Sequence, residues 1–330
     1  MTKGAKVFII ILNWNCRDAT IACLESVYKI DYSPFEVIVV DNGSTDGSSA
    51  AIKSRFKDVV VIEEKTNLGF CAGNNAAIDY GLRHGADYFL ILNNDTLVER
   101  SIVRELKSAL DSDPKIAAVN PIIVHGVSRS RLCGTRIDWG NGDLCAQYTQ
   151  AEVERMGGVA DINFATWCAV LISRGAIEKI GLLDEAFFCY YEDIDWGVRC
   201  RRSGMRTILY PKALVYHEGS LSTGGAYSPT AYYYLFRNRT IFMRKHAFWM
   251  RKLQFSIAYI EDFTRYYLRL TAERSGERAD AAADGVWSAL MGCARHDRMA
   301  APEKIKRPLG PTTKLRLYYL TLKAVFKRQQ

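Results

Sequence analysis

The stretch EVIVVDNGSTDG, residues 36–47, is typical of a buried strand that ends abruptly in a polar turn. The same arrangement occurs at residues 7–12, which stop at Asn13, and at residues 88–92, which lead directly into the polar stretch 93–95. Stretches with helical spacing of apolar residues separate these runs. The alternation predicts an α/β fold with a doubly wound, mostly parallel sheet.

The polar stretches 41–44 and 93–95 both follow a predicted strand. A single polar stretch of this kind is typical of a turn, because Asn, Asp and Gly are the usual turn residues. Ligands of doubly wound sheets bind at the carboxyl ends of the strands. Two such stretches at the same edge therefore favour a shared binding crevice.

The sequence also predicts approximate bounds for the other helices and strands. Further helices are expected at 16–29, 48–56, 69–81, 99–110, 175–180 and 192–204, and further strands at 59–62, 165–172 and 207–210, the last ended by Pro211. Residues 120–164 are expected to be irregular, with a hairpin over 137–145. Residues 273–284 are expected to interrupt two helical portions.

The charge of the chain is unevenly distributed. Residues 231–330 contain 20 Lys and Arg but only 8 Asp and Glu, whereas residues 1–230 contain 24 and 28. A basic region of this kind favours nucleic acid or an anionic membrane, and no nucleic-acid motif accompanies it. Over residues 312–330 helical spacing places Leu315, Tyr318, Tyr319, Leu322, Val325 and Phe326 on one face, flanked by Lys314, Arg316, Lys323, Lys327 and Arg328. Such a helix suits a bilayer surface, although an apolar face also suits its own domain or a dimer partner.

Several classes of protein are excluded by what the sequence lacks. The 330 residues are 48% hydrophobic and 24% charged, which is typical of a globular protein and not of a disordered one. No apolar run reaches the roughly 18 residues of a membrane span. Nine scattered cysteines without a C-x-x-C pair predict reduced thiols of a cytosolic protein. The G-x-G-x-x-G, P-loop and G-x-S-x-G fingerprints are absent.

Three carboxylates, Glu192, Asp193 and Asp195, lie within four positions among aromatic residues. Acidic residues favour the first turn of a helix, and a helix start also positions a catalytic carboxylate. At this point the three residues are compatible both with a helix N-terminus and with a catalytic carboxylate.

Seven separated motifs resemble those of family 2 glycosyltransferases, most closely the rhamnosyltransferase-like branch. They are IIILNWN (9–15), VVDNGSTDG (39–47), NLGFCAGNN (67–75), FLILNNDT (89–96), the E-D-x-D…R…G block (192–204), VYHEGS with His217 (215–220) and the Y-x-x-x-R-N-R segment (233–246). The resemblance covers about residues 6–246.

The resemblance implies a GT-A fold with a nucleotide-sugar half at about 1–120 and an acceptor half at about 121–230, followed by a basic, mostly helical region, 231–330. It implies an inverting enzyme that moves a sugar, most plausibly rhamnose from dTDP-rhamnose, onto a polyprenyl-diphosphate-linked surface glycan such as an O-antigen, capsule or cell-wall polysaccharide. The expected place of action is the inner face of the cell membrane.

The resemblance also assigns roles to residues. Asp193 is the expected catalytic base, and a divalent cation, Mn²⁺ or Mg²⁺, is expected on Asp95 with His217 as second ligand. The expected nucleotide-sugar contacts are Asn13, Asp41, Asn67, Gly69, Asn74, Asn93, Asn94 and Asp95, and the expected acceptor or positioning residues are Trp167, Glu192, Asp195, Trp196 and Arg237. Asn93 stands where the family usually has the first aspartate of D-x-D, and an imidazole ligand favours Mn²⁺.

Three alternatives remain open at this level: a transferase with a UDP-sugar donor, a sugar-nucleotide pyrophosphorylase and an inactive glycan-binding scaffold. A pyrophosphorylase would be expected to carry a glycine-rich, basic loop after the first strand, whereas residues 13–16 are NWNC. Asn93 makes the inactive scaffold conceivable. A homodimer is also compatible with the basic C-terminal region.

Overall fold

The computed structural model describes residues 4–126, 129–218, 228–292, 301–307 and 310–326. Its strands are β1 (Val7–Asn13), β2 (Phe35–Asp41), β3 (Val60–Glu63), β4 (Tyr88–Asn93), β5 (Thr96–Val98), β6 (Ile116–His125), β7 (Arg131–Ile137), β8 (Leu144–Tyr148), β9 (Ala160–Ile162), β10 (Ala169–Ser173) and β11 (Arg206–His217). Its helices are α1 (Arg17–Val27), α2 (Ser48–Arg55), α3 (Gly69–Arg83), α4 (Ile102–Leu110), α5 (Gln150–Met156), α6 (Arg174–Ile180), α7 (Glu192–Arg202), α8 (Pro229–His246), α9 (Trp249–Ala272), α10 (Gly276–Met291), α11 (Glu303–Lys306) and α12 (Pro311–Phe326).

The strands form one mixed sheet in the order β3-β2-β1-β4-β10-β6-β11-β5. The first four strands are parallel, and β10 runs antiparallel to both of its neighbours, β4 and β6. β7 pairs with β6 and β8, and β9 pairs with β11. The α/β class with a mostly parallel sheet is confirmed, and the carboxyl ends of β1, β2 and β4 meet at one edge.

The buried strands explain the continuous apolar runs of the sequence. Residues 7–11 of β1 and 38–40 of β2 are completely buried, as expected for parallel strands covered by helices on both faces. Against them α1 packs Cys23, Leu24 and Val27, and α4 packs its apolar face. The core therefore fixes the edge at which the polar strand ends are exposed to ligands.

The prediction that residues 120–164 are irregular and that a short strand stops at Pro211 was wrong. β6 occupies 116–125, and β11 continues through Pro211 to His217 as its parallel partner. The pairing register shifts between Tyr210 and Leu214, so Pro211, which has no N–H to donate, lies in the irregular part of the ladder. The continuation matters because it carries His217 into the sheet.

Other boundaries also differ from the predictions. β10 begins at Ala169 and not at 165, and α4 begins at Ile102 after the short strand β5. The predicted interruption at 273–284 is limited to 273–275, because α10 begins at Gly276 and buries four alanines at 279 and 281–283. At Gly285 a Cβ atom would lie 2.3 Å from the Tyr233 carbonyl oxygen, so only glycine permits this approach of α10 to α8.

The chain divides into two compact units. The first unit consists of the described residues within 1–136, 146–188 and 192–222, and the second of those within 137–145, 189–191 and 223–330. The second unit therefore contains α8 to α12 together with two short segments whose flanking residues belong to the first.

The apolar face predicted for the C-terminal helix is only partly exposed. Within the second unit α12 buries Leu317, Thr321, Ala324 and Val325, whereas Leu315 and Tyr319 are 70% and 63% exposed. Lys327 and Arg328 lie outside the described residues. In the described part of the chain no helix combines the length and hydropathy needed to span a bilayer.

Candidate active site

Three predicted nucleotide-sugar residues lie together because their strands end at the same edge. β1 ends at Asn13, which pairs with Asp41 at the end of β2, and Asn93 ends β4 opposite Leu12. The sheet thus brings together side chains that are 28 and 80 positions apart in sequence. This edge belongs entirely to the first unit.

Asn13 is completely buried and organises this edge. Its Nδ2 donates to Asp41 Oδ1 at 3.2 Å and to Ser44 Oγ at 3.0 Å. Its Oδ1 accepts from Thr20 Oγ1 at 2.7 Å and from Asn94 Nδ2 at 3.5 Å. Because every hydrogen-bonding position of Asn13 is occupied by protein, this residue orients Asp41 and Asn94 and has no valence left for a ligand.

Asn67 shapes the loop that enters α3. Its Oδ1 accepts from the Gly69 amide at 2.8 Å and from Asn42 Nδ2 at 2.9 Å, while Asn42 Oδ1 accepts from the Leu68 amide at 2.9 Å. Gly69 has φ +86°, and a Cβ there would lie 2.4 Å from the Phe188 ring. Sequence reasoning did not single out Asn42, although it lies within the VVDNGSTDG motif.

Asn74 is buried within α3. Its Nδ2 donates to the Phe70 carbonyl at 2.9 Å, and its Oδ1 has no partner among the described residues. A buried acceptor without a partner costs about 1–3 kcal/mol, which a donor group of a bound ligand would recover.

Asp95 and His217 form the second centre of the site. The antiparallel pairing of β5 with β11 places His217 opposite Thr96, and His217 Nε2 lies 3.0 Å from Asp95 Oδ1. Asn93 Nδ2 lies 3.3 Å from the same nitrogen. Both Asp95 and His217 are buried, and His217 Nδ1 has no partner among the described residues.

This pair fits a divalent cation. Neighbouring ligands of an octahedral ion, each at about 2.1 Å from it, lie about 3.0 Å apart, which is the distance between the two ligand atoms here. Within the described ranges no group of three or more His, Cys, Asp and Glu could hold a metal. Asp95 and His217 would accordingly need further oxygen ligands to complete the shell of such an ion.

The acidic cluster opens α7. The Asp193 carboxylate is partly buried and accepts from the Ile194 amide at 2.8 Å, whereas Glu192 is buried and its Oε2 has no partner among the described residues. Burial raises the pKa of Asp193 to about 6, and burial together with the neighbouring Asp193 charge raises the pKa of Glu192 well above its usual range. A carboxylate with a raised pKa is a better proton acceptor once it is ionised.

Cys168 lies beside the end of β4, where its carbonyl accepts from the Asn93 amide at 2.8 Å. Burial is the main cause that raises the pKa of its thiol to about 12, and the next two causes are the negative charges of Asp193 and Asp95. The charges of the proposed base and of the proposed metal ligand thus both act on this thiol.

Asp195, Trp196 and Trp167 hold α7 in place. The completely buried Asp195 pairs with Arg199 at 2.8 Å, and Arg199 donates to the carbonyls of residues 180 and 182. Trp196 Nε1 donates to the Gly181 carbonyl at 2.9 Å, and its ring packs edge-on against Trp167 at 5.6 Å. These contacts support a positioning role for Asp195 and Trp196.

A strained segment leads into α7. Phe188, Tyr190 and Tyr191 have φ values of +65°, +66° and +74°, a region that residues other than glycine rarely adopt. Asn238 donates to the carbonyls of Cys189 and Tyr190 at 2.7 and 2.8 Å. The predicted acceptor residue Arg237 is completely buried and donates to Asn238 Oδ1 at 2.7 Å, which supports positioning over direct contact.

The chain is similar in sequence to known rhamnosyltransferases. The chain is 26% identical over 213 residues to N-acetylglucosaminyl-diphospho-decaprenol L-rhamnosyltransferase of Mycobacterium tuberculosis, an alignment that covers 58% of the chain and 69% of that protein. It is 24% identical over 258 residues to the dTDP-rhamnosyl transferase RfbF of Shigella flexneri, with coverage of 74% and 81%.

A solved structure shares the fold. The crystal structure of S. aureus TarS 1–349 in complex with UDP-GlcNAc superposes with a TM-score of 0.55 at 17% identity, over 97% of this chain and 88% of that one. The family model for glycosyl transferase family 2 matches residues 8–181, which is more than half of the chain. The protein is therefore a member of glycosyl transferase family 2, with the GT-A fold of that family.

Proposed function

We propose that this glycosyltransferase transfers rhamnose from dTDP-rhamnose, with inversion, to a sugar carried on a lipid diphosphate during synthesis of a bacterial surface glycan. The names of the two relatives support the donor, and the first of them supports N-acetylglucosaminyl diphosphate on a lipid as the acceptor. The observation that carries the proposal is the pairing of Asp95 with His217 beside Asn93, at the edge where β1, β2 and β4 end and in the same unit as Asp193. The catalytic domain is proposed to span residues 1–230, with the basic region at 231–330.

The reaction is a single displacement. The acceptor hydroxyl oxygen forms a bond to the anomeric carbon while the bond from that carbon to the diphosphate oxygen breaks. The electron pair of the broken bond stays with the nucleoside diphosphate, and the hydroxyl proton passes to the Asp193 carboxylate. On this route no covalent intermediate with the enzyme forms.

Each remaining residue of the site has a part in this displacement. Asp41 and Asn94, oriented by Asn13, contact the nucleotide, with Asn67, Gly69, Asn74 and Asn93 lining its pocket. Asp95 and His217 would hold Mn²⁺ or Mg²⁺, which stabilises negative charge on the departing diphosphate. Trp167 and Glu192 line the acceptor side, and Arg237 supports it through Asn238.

The raised pKa of Asp193 predicts an acid limb in the pH profile. Below the pKa of about 6 the base is protonated, so the rate of transfer should fall about tenfold per pH unit, and above it the rate should reach a plateau. Initial rates from pH 4.5 to 8 measure this limb. A limb near pH 4, the usual range of an aspartic acid, would contradict the burial of this carboxylate at the moment of reaction.

The donor is tested by thermal shift with Mn²⁺ and a panel of nucleotide sugars. dTDP-rhamnose should raise the melting temperature more than UDP-, GDP- or CMP-sugars, because a ligand at 100 times its Kd stabilises the folded state by about 2.7 kcal/mol. A larger increase in melting temperature with a UDP-sugar would show that the donor is a UDP-sugar and not dTDP-rhamnose. A matching shift in the Asp41→Ala variant would remove Asp41 from the nucleotide site.

A peripheral position on the inner face of the cell membrane belongs to the same proposal. Phe248, Trp249 and Met250, at the beginning of α9, are all more than half exposed, and Leu253 and Ile257 continue the exposed apolar surface. Between Glu218 and Glu261 the chain has six Lys and Arg and no acidic residue. Exposed aromatic residues among cations suit the headgroup region of an anionic bilayer. This surface adds to the one predicted for α12.

Replacing Trp249 and Met250 by Ser should reduce binding to vesicles with 30% anionic lipid more than tenfold, because a buried large apolar side chain contributes about 1.5–3 kcal/mol. Leu268→Ser, at the other end of α9, is the matched control. Co-sedimentation at 50 and 300 mM salt measures binding and its screening. Unchanged vesicle binding with a change from dimer to monomer would make this surface a subunit contact instead.

A further inference from the structure

The second unit contains a cavity of about 260 Å³ that none of the predicted nucleotide-sugar residues lines. Its wall includes four aromatic side chains, Tyr191, Tyr232, Phe236 and Tyr266, and two charged ones, Asp143 and Arg239. A neighbouring cavity of about 320 Å³ shares Asp143 and Tyr266 with it. The two cavities therefore form a cleft with an aromatic end and a polar end.

Arg239 is built into this cleft with one donor unused. The side chain is 6% exposed, and Nη2 lies 3.2 Å from Asp143 and 3.3 Å from Asp262. Its Nε has no partner among the described residues. A buried N–H without an acceptor costs about 1–3 kcal/mol, which an oxygen of a bound ligand would recover.

The chemistry of the cleft favours a neutral polyhydroxylated ligand. Three arginines line the cleft: Arg239 and Arg265 share the carboxylates of Asp143 and Asp262, and Arg269 lies 3.7 Å from Glu273. With these charges compensated, the cleft has little net attraction for a phosphate group. Aromatic faces pack against the C–H faces of a sugar ring, while a carboxylate and a guanidinium form paired hydrogen bonds with adjacent hydroxyls. A lipid chain, which has no hydrogen-bonding groups, could not form hydrogen bonds with the charged residues.

Tyr191, which lines the cleft, is adjacent in sequence to the acidic cluster that opens α7. Tyr191 immediately precedes Glu192 and lies two residues before Asp193. Its hydroxyl donates to the Gly142 carbonyl at 2.7 Å, and its backbone has φ +74°. Left-handed backbone at such a residue costs about 1–3 kcal/mol and persists where surrounding contacts enforce it.

The loop of residues 138–143, in the second unit, packs closely against α8. Gly142 has φ +73°, and a Cβ there would lie 3.3 Å from the Arg239 side chain. Asp138 Oδ1 accepts from the Gly140 amide at 2.7 Å, and Asn141 Oδ1 accepts from the Asp143 amide at 2.9 Å. The loop thereby holds Asp143 against Arg239 in a fixed conformation.

We propose that this cleft binds a sugar ring of the acceptor glycan, an inference that rests on the transferase function proposed above. The ring of Tyr232, Phe236 or Tyr266 stacks on the sugar and provides the apolar contact. Asp143 and Arg239 form hydrogen bonds with the hydroxyl groups of the sugar. Acceptor choice is then a property of the second unit.

The first test is direct binding and needs neither donor nor metal. Saturation-transfer NMR is recorded with methyl glycosides of N-acetylglucosamine, rhamnose, galactose and mannose. At least one glycoside should give a signal with the wild-type protein that is lost in Leu235→Trp, which fills the cavity, and weakened in Tyr266→Ala, which removes an aromatic wall. Leu268→Trp, on the exposed part of α9, should keep the signal.

The second test separates acceptor from donor. With N-acetylglucosamine linked through diphosphate to a short alkyl chain as acceptor, Leu235→Trp should raise the acceptor KM at least about tenfold and leave the KM for dTDP-rhamnose within about twofold. Equal glycoside signals in wild type and both cleft variants would overturn the inference, as would an unchanged acceptor KM. Failure of the wild type to use dTDP-rhamnose would count against the proposed donor, while loss of the glycoside signal in Leu235→Trp would still support the cleft.

Discussion

Asp193→Asn should reduce the rate of transfer by about 10²–10⁴ while leaving donor affinity nearly unchanged. The Asn side chain keeps the size of the carboxylate and can still accept the Ile194 amide hydrogen bond that holds Asp193. It cannot take the proton of the acceptor hydroxyl. The loss should therefore appear in kcat and not in the KM for the donor.

Two variants complete this experiment. Asp58→Asn removes an exposed carboxylate of the first unit and should behave as wild type. Glu192→Gln removes the neighbouring buried carboxyl group but keeps the burial that raises the pKa of Asp193, so the acid limb should stay near pH 6 with a smaller loss of rate. Near wild-type transfer by Asp193→Asn would shift the role of base to Glu192.

Asp95→Ala and His217→Ala should each weaken Mn²⁺-dependent donor binding by at least about tenfold, and the double variant should be little worse than the more damaging single one. Both side chains are within 3.0 Å of each other, so removing either ligand already removes the ion they would share. Titration of dTDP with and without Mn²⁺, followed by calorimetry, measures the coupling. Melting temperatures of the variants identify any loss of folding.

His125→Ala is the matched control for this pair. The His125 ring lies 5.7 Å from that of His217, centre to centre, whereas it is His217 Nε2 that lies 3.0 Å from Asp95 Oδ1. It should keep Mn²⁺-dependent binding. Additive losses in the double variant would mean that Asp95 and His217 act separately, and full activity in chelator would remove the metal from the account.

The strand ends of the site could be read from the sequence because they depend on local patterns. An apolar run that stops at Asn13, Asp41 or Asn93 marks the end of a buried strand, and parallel strands bring such ends together. The parallel register of β1 and β2 places Asn13 beside Asp41.

The parts of the fold that the sequence does not predict depend on contacts between segments that are far apart in the chain. β6 and β11 each contain one proline, Pro121 and Pro211, which predicts a break, and both strands continue because they pair with each other across a register shift. The α10 region reads as polar and alanine-rich, and its helix is stabilised by close packing against α8 at Gly285. The strained approach to α7 depends on Asn238, which follows it by about 50 residues.

The charge distribution predicted a separate role for the last third of the chain, but not which surface carries it. On α12, four residues are buried within the second unit, so a helical periodicity calculated for an isolated helix overstates what is exposed. The exposed aromatic residues at the beginning of α9 are adjacent in sequence and have no helical period of their own to reveal them. Burial, which only the fold provides, decides between these surfaces.

The central claim is tested most directly by the product of a single reaction. Wild-type protein is incubated with dTDP-rhamnose, Mn²⁺ and N-acetylglucosamine linked through diphosphate to an alkyl chain, and the product is examined by NMR at the new anomeric centre. The account predicts one rhamnose added with inverted configuration, and no product with Asp193→Asn. A product with retained configuration, or product formed from a UDP-sugar and not from dTDP-rhamnose, would contradict it.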